Sequence, residues 1–360
     1  MGKRIGILTA GGDCPGLNAV IRSVAKNAFE LGWEVFGFED GFQGLVENRF
    51  RKLKNPDVSN ILTQGGTILG TSNVANPFRY PIREGNRLSF RNYSEKAVTS
   101  FRKLNLEALV CVGGDGTLTI AEKFLRKGIP IIGIPKTIDN DVSGTDSTFG
   151  FHTAVHVATE ALDRLHTTAA SHHRVMILEV MGRYAGWIAL FAGAAGGADI
   201  ILIPEIPYRF DVICKRVYER AQHGKRFSLI VVGEGAKPRG GRMVIARRVK
   251  ASTDPIRLGG VGHVLGRQIE RHSGIETRVS VLGHIQRGGS PAPEDRNLGT
   301  LFGRQAIELI RKGRMGYMAA LRSGEISSVP IRMAIRKKRL VPRNHPLLLA
   351  ARAVGTSFGI

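Results

Sequence analysis

Cysteine is scarce in this chain. Its three cysteines, Cys14, Cys111 and Cys214, are an odd number without CxxC spacing. That argues against a disulfide framework and a thiolate zinc site, fits a reducing cytoplasm, and leaves all three as small apolar filler. Long apolar runs are also lacking: none reaches 18 residues, so no membrane-spanning helix is expected. The opening MGKRIGILTAGGD contains no extended apolar stretch of the kind a secretory leader needs. Acids are few, 30 Asp and Glu against 52 Lys and Arg, a net charge of +22. Such an excess suits either a phosphate backbone or a cleft that steers anionic metabolites. Two acid-free stretches carry much of it: Lys237 to Lys250, and the segment after Glu325 with Arg332, Arg336, Lys337, Lys338, Arg339, Arg343 and Arg352. Neither has interleaved aromatics or a nucleic-acid motif, so a solvated basic surface is expected and a nucleic-acid partner is not.

What is present is an ordinary globular composition, 42% hydrophobic over 360 residues, enough for two domains. Forty-five glycines against fifteen prolines point to many tight strand-to-helix turns. Short apolar β-branched runs predict strands over 4–9, 34–38, 108–112, 130–134, 174–180, 199–203, 229–232 and 277–282. Between them, helical patterns span 18–31, 95–103, 119–126, 153–166, 184–195, 210–223, 262–272 and 298–312. Strand alternating with helix gives βαβ units in largely parallel sheets covered on both faces. Residues 73–92 and 237–255 read as long loops. Ligands of open α/β sheets bind beyond the carboxyl ends of the strands, so those turns hold the candidate chemistry.

After the first strand, AGGDCPGLNAVIR places Gly11 and Gly12 before a helix, a site for an anion, most simply a phosphate. The spacing matches neither GxGxxG nor GxxxxGK followed by Ser or Thr. After the third, VGGDGTLT surrounds Asp115 with Gly113, Gly114 and Gly116 and leads through Thr117 into a helix. That leaves room for a polyphosphate along the backbone and a carboxylate for the Mg²⁺ that screens it; a glycine turn with an N-capping Asp is the plainer alternative. After the fourth, PKTIDND sets Lys136 and Thr137 before Asp139 and Asp141. Two carboxylates this close need a shared cation or proton, and one metal ligand plus one base for a hydroxyl would use both.

These three turns, together with GGTILGTS, GTDSTFGFHTA, SHHRVMILEVMGRYAG and RVSVLGHIQRGGSP in order, make the chain resemble the phosphofructokinases from Lys3 to about Lys312. That family phosphorylates fructose 6-phosphate on its 1-hydroxyl. The resemblance implies two Rossmann-like three-layer α/β/α domains with the active site in the cleft between them. The larger, donor-binding domain would comprise 1–150 plus about 286–327, and the smaller, sugar-phosphate domain 151–285 plus about 328–360. It implies Asp139 as catalytic base, Asp115 as the Mg²⁺-associated carboxylate, Asp141 beside metal and substrate, and Thr137 at the transferred phosphoryl group. Arg183 would stabilise transition-state charge, Met181 and Gly182 would line the sugar site, and Glu234 would bind sugar hydroxyls. Arg174, Arg278, His284 and Arg287 would hold the 6-phosphate, with Arg174 and Arg278 supplied across a subunit interface of a homodimer or homotetramer.

For the donor, Gly116 matters. Pyrophosphate-using members of the family carry an aspartate after GGD, where it blocks the α-phosphate of a nucleotide; glycine leaves room for ATP. Lys136 is compatible with either donor. Asn73 stands where an arginine touching the donor phosphates is usual. Of the basic residues of the bacterial effector site, Arg22 and Arg226 fall near matching places while Lys26 and Asn55 break the pattern, so effector control does not carry over. Alternatives that stay open are a pyrophosphate-dependent phosphofructokinase, a related sugar-phosphate kinase, and a basic nucleic-acid-binding paralogue.

Overall fold

A computed structural model describes residues 2–360 except Asn86, Arg226 and Thr253. Arg226, one of the two candidate effector residues, therefore lies outside the described residues. The chain forms strands β1 (Arg4–Thr9), β2 (Glu34–Phe38), β3 (Phe50–Leu53), β4 (Tyr80–Glu84), β5 (Arg87–Arg91), β6 (Ala108–Gly113) and β7 (Ile131–Pro135). Then follow β8 (Val175–Val180), β9 (Ile200–Leu202), β10 (Ser228–Gly233), β11 (Ile245–Arg248), β12 (Ile256–Leu258) and β13 (Thr277–Val281), and finally β14 (Tyr317–Arg322) and β15 (Glu325–Pro330).

Two sheets carry the molecule. The first runs β15-β14-β7-β6-β1-β2-β3, parallel from β14 through β2 with an antiparallel strand at each edge. The second, β13-β8-β10-β9, is parallel throughout. The continuous apolar runs are the reason: β6, β7, β8 and β10 are buried along their whole length, as strands covered by helices on both faces must be. Helices Leu17–Glu30 and Pro293–Arg311 cross closely on the first sheet, because a Cβ on Gly303 would lie 2.5 Å from Ser23 Cβ.

Every expected strand and helix forms, with ends shifted by a few residues. The helix of the GGDGT turn begins at Asp115 rather than Thr119, and that of 153–166 extends over Phe151–His172. Both supposed loops contain structure. Residues 73–92 hold the β4–β5 antiparallel pair, and 237–255 holds β11, which pairs antiparallel with β12. The β14–β15 hairpin was likewise not expected. Its turn, Ser323 (φ 51°) and Gly324 (φ 83°), has both central residues left-handed, as a tight hairpin between right-twisted strands demands.

The basic C-terminal segment is only partly the solvated surface expected of it. Arg332, Arg336, Lys337, Arg343 and Arg352 are exposed, but Lys338 and Arg339 fold inward. The Arg339 guanidinium lies 4.1 Å over the Trp187 ring. No helix among the described residues is long and apolar enough to cross a membrane.

Candidate active site

The carboxyl ends of β1, β6 and β7 from one sheet and of β8, β10 and β13 from the other open onto one cavity of about 800 Å³. On the β1 side, Gly11 (φ 85°) turns the chain so that Gly12 presents its backbone to the cavity. Arg287 packs onto Gly12: a Cβ there would lie 2.3 Å from Arg287 Nη1, which reaches across from the 3₁₀ turn Gly283–Arg287 after β13, so any side chain would have to move that guanidinium. The buried Lys136 ammonium donates to the Gly12 carbonyl.

Beyond β6, Gly114, Asp115, Gly116 and Thr117 line the cavity at the start of a helix, with free N–H groups and the positive dipole end toward the space a phosphate would fill. Asp115 is the first helical residue and makes no side-chain cap, so the N-capping alternative is not realised. Gly113 does not line the cavity. It is buried at the end of β6, where a Cβ would lie 2.3 Å from Thr117 Cβ, and its role is packing.

Beyond β7, Asn140 is left-handed (φ 52°), which Asn accepts better than most residues. Its Oδ1 accepts from the Thr148 N–H at 3.1 Å. Asp139 and Asp141 project from either side of it into the cavity. The Asp139 backbone N–H donates to Thr137 Oγ1 (3.1 Å), while its side-chain Oδ1 is sealed from water without a partner. Burial, then the charge of Asp141, pushes the Asp139 carboxyl up to about 6, against the opposing pull of Arg287, Arg183 and Lys338. Asp115 is also raised, chiefly by burial.

The second sheet brings the cations. Arg183 follows β8 with a left-handed backbone (φ 50°), a strained conformation for arginine and one that persists only where neighbours enforce it. Gly182 precedes it at φ 137°, a conformation suited to glycine, although it does not itself line the cavity. The Arg183 N–H donates to Glu234 Oε1 (3.0 Å), and Gly235 lies so close beneath that a Cβ would be 1.8 Å from the Arg183 carbonyl oxygen. Glu234 is pushed up to about 7 by burial and then by Asp139. Met181 lines the cavity, its N–H donating to Gln286 Oε1 at 2.8 Å. His284 and Arg287 line it as well.

Arg174 and Arg278 do not. Both pair with Glu276 away from the cavity, and Arg278 is exposed. Cys14 and Cys111 are buried with their thiols pushed up by desolvation, as apolar filler should be.

Four contributors escaped sequence reasoning. Asp254 meets Arg183 Nη1 at 2.8 Å, and Arg247 and Arg257 line the same wall, all from the β11–β12 region. Lys338 Nζ lies 2.8 Å from Asp141 Oδ2 and 3.9 Å from Asp115 Oδ2. Burial would lower the Lys338 ammonium, but Asp141, Asp115 and Asp139 outweigh it and hold it raised, hence charged. No group of three His, Cys, Asp or Glu side chains is poised for a metal among the described residues. The hard oxygens of Asp115 and Asp141, already gathered about one cation, nonetheless fit Mg²⁺, which takes one or two carboxylates and completes its shell with water and phosphate.

The sequence model of the Phosphofructokinase family matches residues 4–310. The chain belongs to the phosphofructokinase family. It is 52% identical over 359 residues to the ATP-dependent 6-phosphofructokinase of Chloroflexus aggregans, covering 99% of this chain and 98% of that one. To ATP-dependent 6-phosphofructokinase 1 of a Synechocystis species it is 49% identical over 361 residues, with 99% and 98% covered. Among solved structures, phosphofructokinase from Saccharomyces cerevisiae matches with a TM-score of 0.77 and 30% identity, over 93% of this chain and 45% of that longer one. A pyrophosphate-dependent phosphofructokinase from Nitrosospira multiformis superposes with a TM-score of 0.81 at 19% identity, over 99% of this chain and 92% of that one. That second likeness speaks for the shared two-sheet fold alone.

Proposed function

We propose that this chain transfers the γ-phosphoryl group of ATP to the 1-hydroxyl of fructose 6-phosphate, giving fructose 1,6-bisphosphate, in a cleft between a donor lobe on the first sheet and a sugar-phosphate lobe on the second. The observation that carries the reading is Asp139, a nearly buried carboxylate in the wall of a cavity that Arg183 and Arg287 also line, with one of its oxygens, Oδ1, left without a partner. A carboxylate so buried and so poorly paired is costly unless a ligand donor reaches it from the cavity side, and a sugar hydroxyl is such a donor. Asp139 takes the hydroxyl proton as the oxygen attacks phosphorus; Arg183, released from Asp254, neutralises charge on the transferring group; Thr137 orients it. Lys136 and the helix start at Asp115–Thr117 hold the donor phosphates. Mg²⁺ held by Asp115, with Asp141 beside it, would screen those phosphates. Glu234 and Met181 receive the sugar, and His284 and Arg287 its 6-phosphate. ATP is favoured over pyrophosphate by Gly116 and by the naming of the half-identical relatives. A matrix of ATP and pyrophosphate against fructose 6-phosphate and sedoheptulose 7-phosphate tests it: ATP with fructose 6-phosphate should be fastest, and any other best pair overturns the assignment.

The pH dependence has a definite sign. Asp139 must be ionised to accept a proton, and its carboxyl is raised to about 6. The acid limb of kcat/KM for the sugar phosphate is therefore expected near pH 6 rather than near 4, with activity falling about tenfold per pH unit below it. Asp141→Asn removes a negative neighbour and should move that limb to lower pH. A limb that stays in place in the variant would break the link between the two carboxylates.

Arg174 and Arg278 are proposed to serve a neighbouring subunit's cleft in a homo-oligomer. Arg278→Ala should raise the KM for fructose 6-phosphate about ten- to thirtyfold, the loss of a charge-assisted hydrogen bond to phosphate, with little change for ATP. Hybrids mixed from Arg278→Ala and Asp139→Asn chains should regain part of the activity both parents lack at low substrate. Hybrids as inactive as their parents would place Arg278 outside any shared site.

A further inference from the structure

Lys338 comes from the basic C-terminal segment, to which the sequence attached no role, and it is no loose surface lysine. The segment around it is gripped by the Asn140–Asp141 turn on one side and by Trp187 and Glu205 on the other. The Arg339 N–H donates to the Asp141 carbonyl (2.8 Å), and Arg339 Nη1 to the Asn140 carbonyl (3.2 Å). The Trp187 indole N–H donates to the Arg339 carbonyl (2.9 Å), and the Val341 N–H to Glu205 Oε1 (2.9 Å). Lys338 itself forms an antiparallel bridge with Val142. The ammonium is thus delivered on a fixed backbone, 2.8 Å from Asp141 and 3.9 Å from Asp115.

We propose that Lys338 is a tethered counter-cation of the active cleft: it holds the Asp115 and Asp141 carboxylates while no divalent ion is present, and a divalent ion entering the pair must displace it. The proposal rests on the reading of Asp115 and Asp141 as the carboxylates that meet the metal. A buried carboxylate, Asp141, beside a partly exposed one, Asp115, repels it when no cation is present and destabilises the fold. A lysine on a fixed stem removes that penalty whenever no divalent ion is bound. It also sets a threshold, since an ammonium and a divalent cation competing for the same oxygens repel strongly at such range. Free divalent ions then bind weakly, while a nucleotide-bound ion brings phosphate oxygens that offset the exchange. The displaced ammonium has a second resting place, for Nζ already lies 5.5 Å from the Tyr184 ring centre.

The test is Mn²⁺ binding to the purified full-length protein without nucleotide, read from the paramagnetic resonance signal of free Mn²⁺. Lys338→Met and Lys338→Gln should bind Mn²⁺ at least tenfold more tightly than wild type, whereas Lys338→Arg should stay weak. Melting curves give an independent readout. Both neutral variants should melt below wild type in chelator and gain more than wild type on adding Mn²⁺. Asp115→Asn in the Met background should abolish the gain in affinity. Unchanged or weaker Mn²⁺ binding by both neutral variants overturns the proposal, as does their failure to fold in Mn²⁺ as well as in chelator. If wild-type Mn²⁺ binding nonetheless falls in Asp115→Asn, only the role of Lys338 is lost. If Asp115→Asn alters Mn²⁺ binding in neither background, the reading of Asp115 falls and the proposal with it.

Discussion

Asp139→Asn is expected to lower kcat by about 10²–10⁴-fold, the usual worth of a general base, while the KM for each substrate moves by far less. The substitution is close to isosteric and leaves the Asp139 backbone N–H on Thr137 Oγ1 untouched, so the turn keeps its shape. What is lost is the proton acceptor: the carboxylate in the cavity wall becomes an amide, which cannot take a proton from the sugar hydroxyl. Stability should move the other way. The carboxyl is raised from 3.8 to about 6 in the fold, so the folded state prefers the protonated form. Stability is therefore lost as pH rises from about 4 to 6 and stays lost above, by about 2–3 kcal/mol at one pKa unit per 1.36 kcal/mol. Asn carries no charge to desolvate and no repulsion from Asp141. The variant should thus melt higher than wild type at pH 8, and the difference should shrink toward pH 4. A variant with near-native kcat would remove Asp139 as the base, and one that melts lower at pH 8 would contradict the cost assigned to its burial.

That pairing of lost rate with gained stability explains why the catalytic turns were legible in sequence. AGGD, GGDGT and PKTIDND all break local rules, with glycines where a strand should pass to a helix and carboxylates beside carboxylates, and such breaks concentrate at sites. The strands were legible because burial on both faces leaves continuous apolar runs such as LVCV and IVV. The edge strands of the first sheet and the small β11–β12 pair were not. β3 and β15 are half-exposed, and the β11 strand IARR has every residue exposed, so no apolar period marks it. The Ser-Gly step of β14–β15 was a usable signal, two strand-like runs around a two-residue turn.

Lys338 and Asp254 illustrate a different limit. Each is far from its partner along the chain, Lys338 by 197 residues from Asp141 and Asp254 by 71 from Arg183, and each sits in a stretch whose composition reads as solvated. Spacing along the chain reports which residues share a turn or a helix face. Which distant basic residue closes on an acidic turn depends on how the C-terminal segment packs beneath Trp187 and Glu205, and no local pattern encodes that. The structure also alters the meaning of Asn73. An arginine is missing there, yet Ser252 Oγ reaches the Asn73 carbonyl (3.5 Å) and carries Arg257, whose guanidinium donates to that same Ser252 oxygen (2.9 Å), to the cavity wall. Positive charge absent from one loop is present on the facing one.

Donor choice rests on Gly116, and Gly116→Asp is expected to lower kcat/KM for ATP about a hundredfold, ~3 kcal/mol, with a far smaller effect on pyrophosphate. Gly116 is the second residue of the helix Asp115–Arg126 and lines the cavity between Asp115 and Thr117. Without a side chain there, a nucleotide's α-phosphate can lie against the helix start and use its N–H groups and dipole. An aspartate would place a carboxylate in that space, adding a steric clash and like-charge repulsion, which is how a site rejects one ligand while keeping another. Pyrophosphate has no third phosphorus to collide with it. The variant should fold normally, because an acid in the first helical turn complements the dipole and glycine is a poor helix former, so a loss of ATP activity will not reflect a lost helix. Lys136 stays available in both proteins, its ammonium fixed on the Gly12 carbonyl beside the donor space. Both donors are measured with both proteins at saturating fructose 6-phosphate and Mg²⁺, with melting temperatures taken alongside. Undiminished use of ATP by a folded variant would show that the α-phosphate does not approach this helix start, and robust pyrophosphate use by the wild type would move the protein to the other donor class.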